Sequence, residues 1–398
     1  MGFRIVQLII HNYKLLTTFS FPTFDSMSKH VIGYFCASDS WGGLEMNQWR
    51  NALWMMERGH QVVMFVREGT PAEKAARESG LVVSRVRKHR KYYDYIKAKQ
   101  LKRRIKYHGV THMIVRDPQD MGLCALTKTL LGNQLHLSYF MEMQLGIDKK
   151  DLLHTLRFKK FDLWSCPLPW LAEQVKSRTN YPKERIKVIP SGLDLKKYQN
   201  DLTRAEAKTK LDLNTDKKWI GLIGRFDAQK GQVLLLRAFQ RVQEKLNNYN
   251  VVFLGEKTKG EADDYYEEMQ SYIQRNGLKG RVEIRPFRKD VESFYAAIDV
   301  FVMATKAETF GMVTIEAMAS ECKIVGSNAG GTPEILNHGE YGTLFETQNV
   351  DSLAQALIQS TQRATINSAK LQEEVQQYDF NNVCEQVEKV LFKSEVPH

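Results

Sequence analysis

The 398-residue sequence has no run of about eighteen apolar residues, the length needed for a membrane-spanning helix. The best candidate, residues 3–24, is interrupted by Arg4, His11 and Lys14, and it lacks a small-residue site at which a secretory signal is cleaved. Prolines are few (10) and glycines moderate (25), whereas 43% of the residues are hydrophobic, which excludes a disordered or collagen-like chain. The length predicts two domains, or three.

Cysteines and metal-binding patterns are also scarce. The five cysteines are scattered and odd in number, which indicates a reduced, cytoplasmic protein. The sequence has no Asp-x-Asp pair and no His/Cys cluster with metal spacing, so no metal is expected. The glycine-rich fingerprints of P-loop and dinucleotide-binding proteins are missing as well. We therefore predict no cofactor.

Positive charge is concentrated in the first half of the chain. Residues 1–200 hold 33 Lys and Arg against 17 Asp and Glu, a net charge of +16, whereas the rest hold 24 against 29, a net charge of −5. The densest run, Arg85–Lys106, has eleven basic residues, one acid and interleaved tyrosines. It predicts either a surface for an anionic membrane or nucleic acid, or a solvated helix face. The imbalance favours two domains with different partners, one of them anionic.

Short apolar runs alternate with helix-length segments from His30 almost to the end. Strand–helix alternation with short connections predicts parallel sheets, so we expect an α/β fold of two doubly wound, Rossmann-like domains that face each other across a cleft. Runs of this kind are typical of strands buried on both faces. The predicted strands are His30–Phe35, Gln61–Val66, Leu81–Val86, His112–Val115, Leu135–Met141, Leu163–Cys166, Trp219–Ile223, Val251–Leu254, Val282–Arg285, Val300–Met303, Ile324–Val325 and Thr343–Phe345.

The break between the domains is expected near Ser191–Asn214, where a Pro-Ser-Gly sequence interrupts the alternation. We predict a first domain over residues 1–195 and a second over 196–378. The tail, 379–398, has helical spacing and is predicted to cross back onto the first domain. Residues 1–26 fit this pattern poorly and are predicted to be an appendage or a misassigned start.

The segment from Ala307 to Ala319 contains the most informative motif, because it follows a predicted strand and opens a helix. Gly311 permits close backbone approach, and the next two amides would lack partners at a helix start, which suits a phosphate or sugar oxygen. Glu308 precedes this turn and Glu316 follows it. Two carboxylates around an anion site are natural if they accept hydrogen bonds from sugar and ribose hydroxyls. The alternative is a capping acid and a solvated helix glutamate.

Three further loops are expected at the same cleft. Arg225 and Lys230 follow a predicted strand, and a guanidinium fork with a point charge suits a departing diphosphate, although a surface salt bridge is the alternative. Gly42 and Gly43 follow the first strand and form either a phosphate-cradling backbone or a tight turn. Asp117 ends a strand of the first domain.

These segments, in this order, resemble the retaining GT-B nucleotide-sugar glycosyltransferases (family 4, glycosyl transferases group 1). The matching stretches are WGGLE, IPSGLDLKKY, GRFDAQKG, AETFGMVTIEAMAS and SNAGGTPEIL. The resemblance covers nearly the whole chain from His30. It implies a metal-independent enzyme whose first domain binds the acceptor and whose second binds the sugar nucleotide.

The resemblance also implies roles for single residues. Glu308 would contact the donor sugar near the reacting face, and Glu316 would hold the nucleoside ribose. Many relatives carry a histidine where this chain reads Val-Arg-Asp-Pro, so Asp117, and after it Asp120, is the candidate for positioning the acceptor hydroxyl. The other implied donor-binding residues are Gly42, Gly43, Arg225, Lys230, Phe287, Arg288, Phe310, Gly311, Met312 and Val313.

The sequence therefore predicts transfer of a hexose, with retention, from a nucleotide-diphosphate sugar to an acceptor hydroxyl in polysaccharide, lipopolysaccharide or glycolipid synthesis. A UDP-sugar is slightly favoured over a GDP- or ADP-sugar. The basic run predicts an anionic glycan or lipid-linked acceptor and peripheral contact with the inner face of the plasma membrane, and no nucleic-acid partner is expected. A sugar-nucleotide epimerase on the same fold and a non-enzymatic basic membrane- or RNA-binding protein are the alternatives.

Overall fold

The computed structural model describes residues 30–199, 202–257, 264–364 and 366–392. Two sheets with flanking helices organise these residues. The predicted appendage, 1–26, lies outside the described residues. Within the described part of the chain, no helix has the length and apolar character needed to cross a membrane.

The first sheet has seven parallel strands, and we call it, with its helices, the first lobe. Its strands are β1 (Val31–Cys36), β2 (Gln61–Arg67), β3 (Val82–Val86), β4 (Val110–Val115), β5 (His136–Phe140), β6 (Leu163–Cys166) and β7 (Ile186–Val188). Their order across the sheet is β3-β2-β1-β4-β5-β6-β7, so the order of the strands reverses between β1 and β4. In β1, Phe35 stands opposite Phe65 on one side and Val115 on the other, and all three are buried.

Local signals in the sequence explain where the helices of the first lobe begin. The Thr70 side chain accepts a hydrogen bond from the amide of Glu73, and Asp94 caps the next helix by accepting one from the amide of Lys97. The helices are α1 (Gly43–Glu57), α2 (Pro71–Glu78), α3 (Tyr95–Tyr107), α4 (Met121–Leu131), α5 (Leu152–Phe158) and α6 (Pro169–Arg178).

The second sheet repeats the same topology with six parallel strands, and it forms the second lobe. Its strands are β8 (Lys218–Ile223), β9 (Tyr249–Leu254), β10 (Val282–Arg285), β11 (Val300–Met303), β12 (Lys323–Ser327) and β13 (Thr343–Phe345). Their order is β10-β9-β8-β11-β12-β13, with the reversal between β8 and β11. The predicted fold class, α/β with two doubly wound sheets, is confirmed.

The remaining helices follow the seam between the two sheets in the sequence. They are α7 (Arg204–Lys210), α8 (Gln232–Val242), α9 (Asp264–Arg275), α10 (Val291–Ala297), α11 (Met312–Ala319), α12 (Thr332–Ile335), α13 (Val350–Gln362), α14 (Ser368–Val375) and α15 (Phe380–Phe392).

The last helix, α15, packs on the first lobe although it follows the second lobe in the sequence. Its buried residues Val387 and Leu391 belong to the same apolar cluster as Met55 of α1. The chain also pairs with itself where it passes between the lobes: the Leu193 amide donates to the Tyr378 carbonyl at 2.7 Å. These contacts hold the end of the described chain on the first lobe.

Every predicted strand overlaps an observed one, but the sequence analysis missed β7. This strand has three residues, and Lys187 and Val188 are exposed, so it carries no apolar run. Such a short edge strand is paired by its neighbour β6 rather than by its own hydrophobic pattern.

Candidate active site

In doubly wound sheets, ligands bind beyond the carboxyl ends of the strands where the strand order reverses. In the first lobe this rule selects the loops after β1 and β4, and in the second lobe the loops after β8 and β11. Gly42 and Asp117 lie in the first pair of loops, and Lys230 and Glu308 lie in the second pair. The topology therefore points to the same segments as the sequence motifs.

The structure brings Lys230 and Glu308 together in the second lobe. The Lys230 ammonium lies 3.2 Å from Glu308 Oε2. Their loops are joined by the backbone as well, because the Lys306 amide donates to the Gln229 carbonyl at 3.0 Å. Gly231, at φ +78°, ends the first loop, where a Cβ would lie 2.5 Å from a backbone oxygen. The two sequence motifs thus place a cation and a carboxylate side by side.

The turn before α11 is held by glycines. Gly311 has φ +93° and precedes the first residue of the helix, so the first amides of α11 point out of the turn without helical partners. The Gly331 amide donates to the Glu308 carbonyl at 2.9 Å. At Gly330, a Cβ would lie 2.1 Å from the same carbonyl oxygen. The GGTPE segment therefore fixes the backbone of Glu308 and leaves its side chain to face Lys230.

The side chains of two predicted donor-binding residues, Phe310 and Glu316, are buried. The Phe310 ring belongs to the core of the second lobe and contacts the Tyr378 ring, so the predicted contact with a donor is left to its backbone. Glu316 is 8% exposed and accepts a hydrogen bond from the Tyr295 hydroxyl at 2.8 Å. Burial raises the pKa of Glu316, against the hydrogen bond from Tyr295 and the positive charge of Arg50. Met312 and Val313 are half-buried at the helix start.

Of the remaining second-lobe residues, Arg225 and Phe287 are exposed and Arg288 is half-buried. The Arg225 side chain is 65% exposed, with the Asp227 carboxylate 3.7 Å away. Phe287 is also exposed. Arg288 is engaged by the protein itself: Asp290 binds its guanidinium at 2.8 and 3.0 Å, and the Lys210 carbonyl accepts a third hydrogen bond. A ligand at Arg288 would have to share it with Asp290.

In the first lobe, the two glycines at the start of α1 differ in whether their surroundings leave room for a ligand. The Gly42 amide donates to the Glu45 carboxylate at 2.8 Å, so this predicted phosphate donor is already occupied. A Cβ at Gly43 would meet open space. Of the two predicted amides, that of Gly43 is the one with room for a ligand.

Asp117 and Asp120 lie side by side but have different surroundings. Asp117 is half-buried, and burial raises the pKa of its carboxyl group. Asp120 is buried; one carboxylate oxygen lies 2.8 Å from His89 Nε2, and the other accepts from the Ala37 amide at 3.2 Å. Burial alone would lower the pKa of His89, but its hydrogen bonds with Asp120 and the Arg90 carbonyl raise it above the ordinary value.

The sequence analysis missed His89. It follows β3, which two strands separate from β4 in the sheet, and its ring lies 6.0 Å from that of Phe35 in β1. Its pairing with Asp120 joins residues 31 positions apart, and nothing in their spacing signals the contact.

The sequence analysis also missed a contact between the lobes. Both carboxylate oxygens of Glu334 accept hydrogen bonds from the Trp170 amide, at 3.0 and 3.2 Å, at the start of α6. Glu334 lies in the first turn of α12. Its carboxylate, however, reaches the helix of the other lobe. Among the described residues, no group of three or more His, Cys, Asp or Glu side chains is placed to hold a metal ion.

Two family models match the chain and together span most of it. The model for glycosyltransferase family 4 matches residues 41–197, and the model for glycosyl transferases group 1 matches residues 203–378. The chain belongs to the GT-B glycosyltransferases. The two family models meet at the passage between this glycosyltransferase's two lobes.

Similar proteins come from diverse organisms. An uncharacterised glycosyltransferase of Methanocaldococcus jannaschii is 31% identical over 189 residues, which are 46% of this chain and 47% of that protein. The lipopolysaccharide core biosynthesis mannosyltransferase LpsB of Rhizobium meliloti is 27% identical over 171 residues, 42% of this chain and 48% of that one. The glycosyltransferase chain thus spans about half the length of the curated relatives it matches.

Solved structures match the fold over a greater part of the chain than the curated relatives match its sequence. The Anabaena protein HepE, solved in complex with UDP, superposes with a TM-score of 0.80 over 92% of this chain and 100% of that one, at 19% identity. HepE has also been solved in complex with UDP-glucose. At this identity the comparison establishes the fold of the glycosyltransferase.

Proposed function

We propose that this glycosyltransferase transfers a hexose from a UDP-sugar to an acceptor hydroxyl, with retention of configuration and without a metal ion. The observation that carries the proposal is the 3.2 Å pair of Lys230 and Glu308 beside the amino end of α11. A cation and outward-pointing amides suit the diphosphate, and the adjacent carboxylate suits sugar hydroxyls. HepE, with the same fold, binds UDP-glucose, which favours UDP as the nucleotide.

In this proposal the second lobe stabilises the leaving group. As the bond from the anomeric carbon to the diphosphate oxygen breaks, negative charge grows on the diphosphate. Lys230, paired with Glu308, and the first amides of α11 are in place before the reaction, so they stabilise the transition state more than the bound donor. Arg225 adds a positive charge from the surface. Glu308 orients the sugar at the reacting face. Glu316, whose carboxylate accepts a hydrogen bond from Tyr295, is assigned to the ribose.

The first lobe supplies the acceptor side. Asp117 accepts a hydrogen bond from the acceptor hydroxyl, and the His89–Asp120 pair holds the loop after β4 against the loop after β1. The acceptor oxygen forms a bond to the anomeric carbon on the face that the diphosphate leaves. The hydroxyl proton passes to the departing phosphate oxygen beside it. Because the acceptor oxygen attacks the anomeric carbon directly, no covalent enzyme intermediate forms.

The state of the cysteines indicates in which cellular compartment the protein would act. All five are buried free thiols, which favours the reducing cytoplasm. We place the reaction at the cytoplasmic face of an anionic membrane, where an acceptor for cell-surface glycans or glycolipids would be found.

An experiment without any acceptor tests the donor side. The protein is incubated with UDP-glucose, GDP-mannose or ADP-glucose in EDTA, while thermal unfolding and release of the nucleoside diphosphate are followed. UDP-glucose at 100 times its Kd should stabilise the fold by about 2.7 kcal/mol. Slow hydrolysis should release α-glucose first, observed by NMR. Release of β-glucose contradicts retention, epimerised donor indicates the epimerase, and no effect of any nucleotide sugar contradicts the proposal.

A further inference from the structure

The first lobe has two neighbouring cavities beside the proposed acceptor position. The larger, which we call the cationic cavity, has a volume of about 350 Å³. Its wall includes Lys91, Lys149, His154, Arg157, Pro118 and Met121. Pro118 directly follows Asp117, so this cavity opens next to the carboxylate assigned to the acceptor hydroxyl.

The second cavity, which we call the apolar groove, has a volume of about 190 Å³. It lies between α4, α5 and the segment before α3, and its wall is mainly aliphatic and aromatic. Residues on its wall include Tyr92, Tyr93, Leu126, Leu153, Leu156 and Arg157. Tyr92 and Arg157 line both cavities, so the two cavities adjoin at these side chains.

Arg157 lies where the cationic cavity and the apolar groove adjoin. Its guanidinium lies 5.3 Å from the centre of the Tyr92 ring and 5.0 Å from that of Phe158. Within the part of the chain that the structure describes, its buried Nε and Nη1 atoms have no hydrogen-bond partner. A desolvated guanidinium with unsatisfied donors favours an anion with several oxygens, such as a phosphate.

Gly122 of α4 keeps the wall between the cavities in place. A Cβ at this position would lie 2.3 Å from the Lys91 carbonyl oxygen and 2.9 Å from that of Tyr92. Glycine therefore allows the segment that carries both residues to lie directly on α4.

The rim of the groove is an exposed apolar surface. Leu152, Leu153 and Leu156 on one side of α5 are between 54% and 70% exposed, and Ile147 in the preceding loop is 70% exposed. Lysines lie on both sides of this rim, at positions 149, 150, 159 and 160, with Asp148 and Asp151 as the nearby acids. Exposed leucines among lysines are typical of a surface that contacts an anionic membrane.

We propose that these two cavities bind an anionic amphiphile, a phosphate joined to an aliphatic chain, as the lipid-linked acceptor. This proposal rests on the proposed function. Arg157, with Lys91 and Lys149, binds the phosphate; the apolar groove binds the first part of the chain; and the part beyond the phosphate reaches Asp117. The rest of the chain stays in the membrane that the α5 rim contacts.

The test measures binding of dodecyl phosphate below its critical micelle concentration, followed by calorimetry and by the fluorescence of Trp164 in the cavity wall. Inorganic phosphate and dodecyl maltoside are the matched ligands that lack the chain or the charge. Dodecyl phosphate should bind at least tenfold more tightly than either. Equal affinity for inorganic phosphate indicates a soluble anionic acceptor, and equal affinity for dodecyl maltoside indicates a neutral lipid. Either result overturns the proposal.

Variants separate the two parts of the site. Arg157→Gln should lower affinity for dodecyl phosphate about tenfold and leave dodecyl maltoside unchanged, and Lys149→Gln repeats this test at a half-buried position if the first variant unfolds. Leu153→Gln should remove the contribution of the chain. Arg103→Gln, in a separate basic cavity of the first lobe, is the control and should bind as wild type. Unchanged affinity in both cationic-cavity variants would overturn the proposal.

The assay needs no donor, so the two proposals can fail separately. If dodecyl phosphate does not bind but UDP-glucose still stabilises the protein, the inference about the acceptor is wrong and the proposed function stands. If none of the nucleotide sugars binds, the proposed function is wrong whatever the amphiphile does.

Discussion

The two lobes share one topology but differ in what they expose. Of the fourteen large apolar side chains exposed in the described part of the chain, thirteen lie in the first lobe and one, Phe287, in the second. The first lobe also belongs to the half of the sequence with a net charge of +16, and the second to the half with −5. This difference is what the two proposals require, an amphiphilic anionic acceptor at the first lobe and a small polar donor at the second.

The difference extends to the reversal points of the sheets. In the second lobe, Lys230 and Glu308 form a half-exposed pair. In the first lobe, Arg116 and Asp120 follow β4, and each forms a buried pair with a residue after another strand, Glu142 after β5 and His89 after β3. Exposed charges at one reversal point suit binding and release of a charged ligand, whereas buried pairs fix the loop after β4, as the proposed acceptor position requires.

The sharpest test of this division compares Lys230→Ala with Asp117→Asn. Lys230→Ala should reduce both donor hydrolysis and sugar transfer about 100- to 1000-fold, because it removes a cation fixed at the leaving group. Asp117→Asn should reduce transfer and spare donor hydrolysis. Both rates are measured from UDP release with and without acceptor. Arg237→Ala, at a surface ion pair on α8, is the control for Lys230. Wild-type turnover in Lys230→Ala contradicts the assignment of the second lobe.

What the sequence could predict depends on whether a motif is local. Lys230 and Glu308 each belong to a strand–turn–helix segment that carries its own signal, and parallel topology brings two such segments together. Glu334 and Trp170 are 164 residues apart, and their contact depends on how the lobes meet. Arg157 gave no signal either, because its unpartnered atoms result from the packing of Tyr92 and Phe158 around it. Predictions fail where burial and pairing are decided by tertiary packing.

The second test asks whether the exposed apolar rim of the first lobe contacts membranes. The double variant Leu152→Asp and Leu156→Asp should lower sedimentation with vesicles of phosphatidylcholine and phosphatidylglycerol at least tenfold, since each leucine contributes about 1.5–3 kcal/mol when buried. Phe287→Asp, the same change at the exposed apolar residue of the second lobe, is the control. Equal binding of wild type to pure phosphatidylcholine vesicles would contradict a role for the lysines, which should contribute about 1 kcal/mol each near an anionic surface.

The third test concerns the helix that ties the chain's end to the first lobe. Glu388 of α15 accepts two hydrogen bonds from Arg58 at 2.8 Å and lies 2.8 Å from His60. Burial alone would raise the pKa of Glu388, but the hydrogen bonds from these partners lower it from 4.5 to about 2. A depressed carboxyl pKa stabilises the fold above pH 4.5, and this stabilisation is lost as pH falls towards 2.

We therefore expect Glu388→Gln to lower the free energy of unfolding by about 2 kcal/mol at pH 7. The difference from wild type should shrink between pH 4.5 and 2, measured by denaturant unfolding. Glu385→Gln, at an exposed position on the same helix, is the control and should change little. A difference that is constant across this pH range would mean that Glu388 acts by packing rather than by charge.

The smallest expected effect comes from the His89–Asp120 pair in the first lobe. The pKa of His89 is raised in the folded protein, so its contribution to stability is fully present below the unfolded pKa of about 6.5 and is lost as pH rises through the folded value. His89→Gln should cost about 1 kcal/mol of unfolding free energy at pH 5.5 and less at pH 8.5. His154→Gln, at a surface pair with Asp151, is the control. Among the described residues, the histidine–carboxylate ion pairs all lie outside the second lobe. If the pH dependence of stability disappears in His89→Gln, that pH dependence comes from the first lobe. If His89→Gln keeps the wild-type pH dependence, the buried pair does not hold the acceptor loops through its charge.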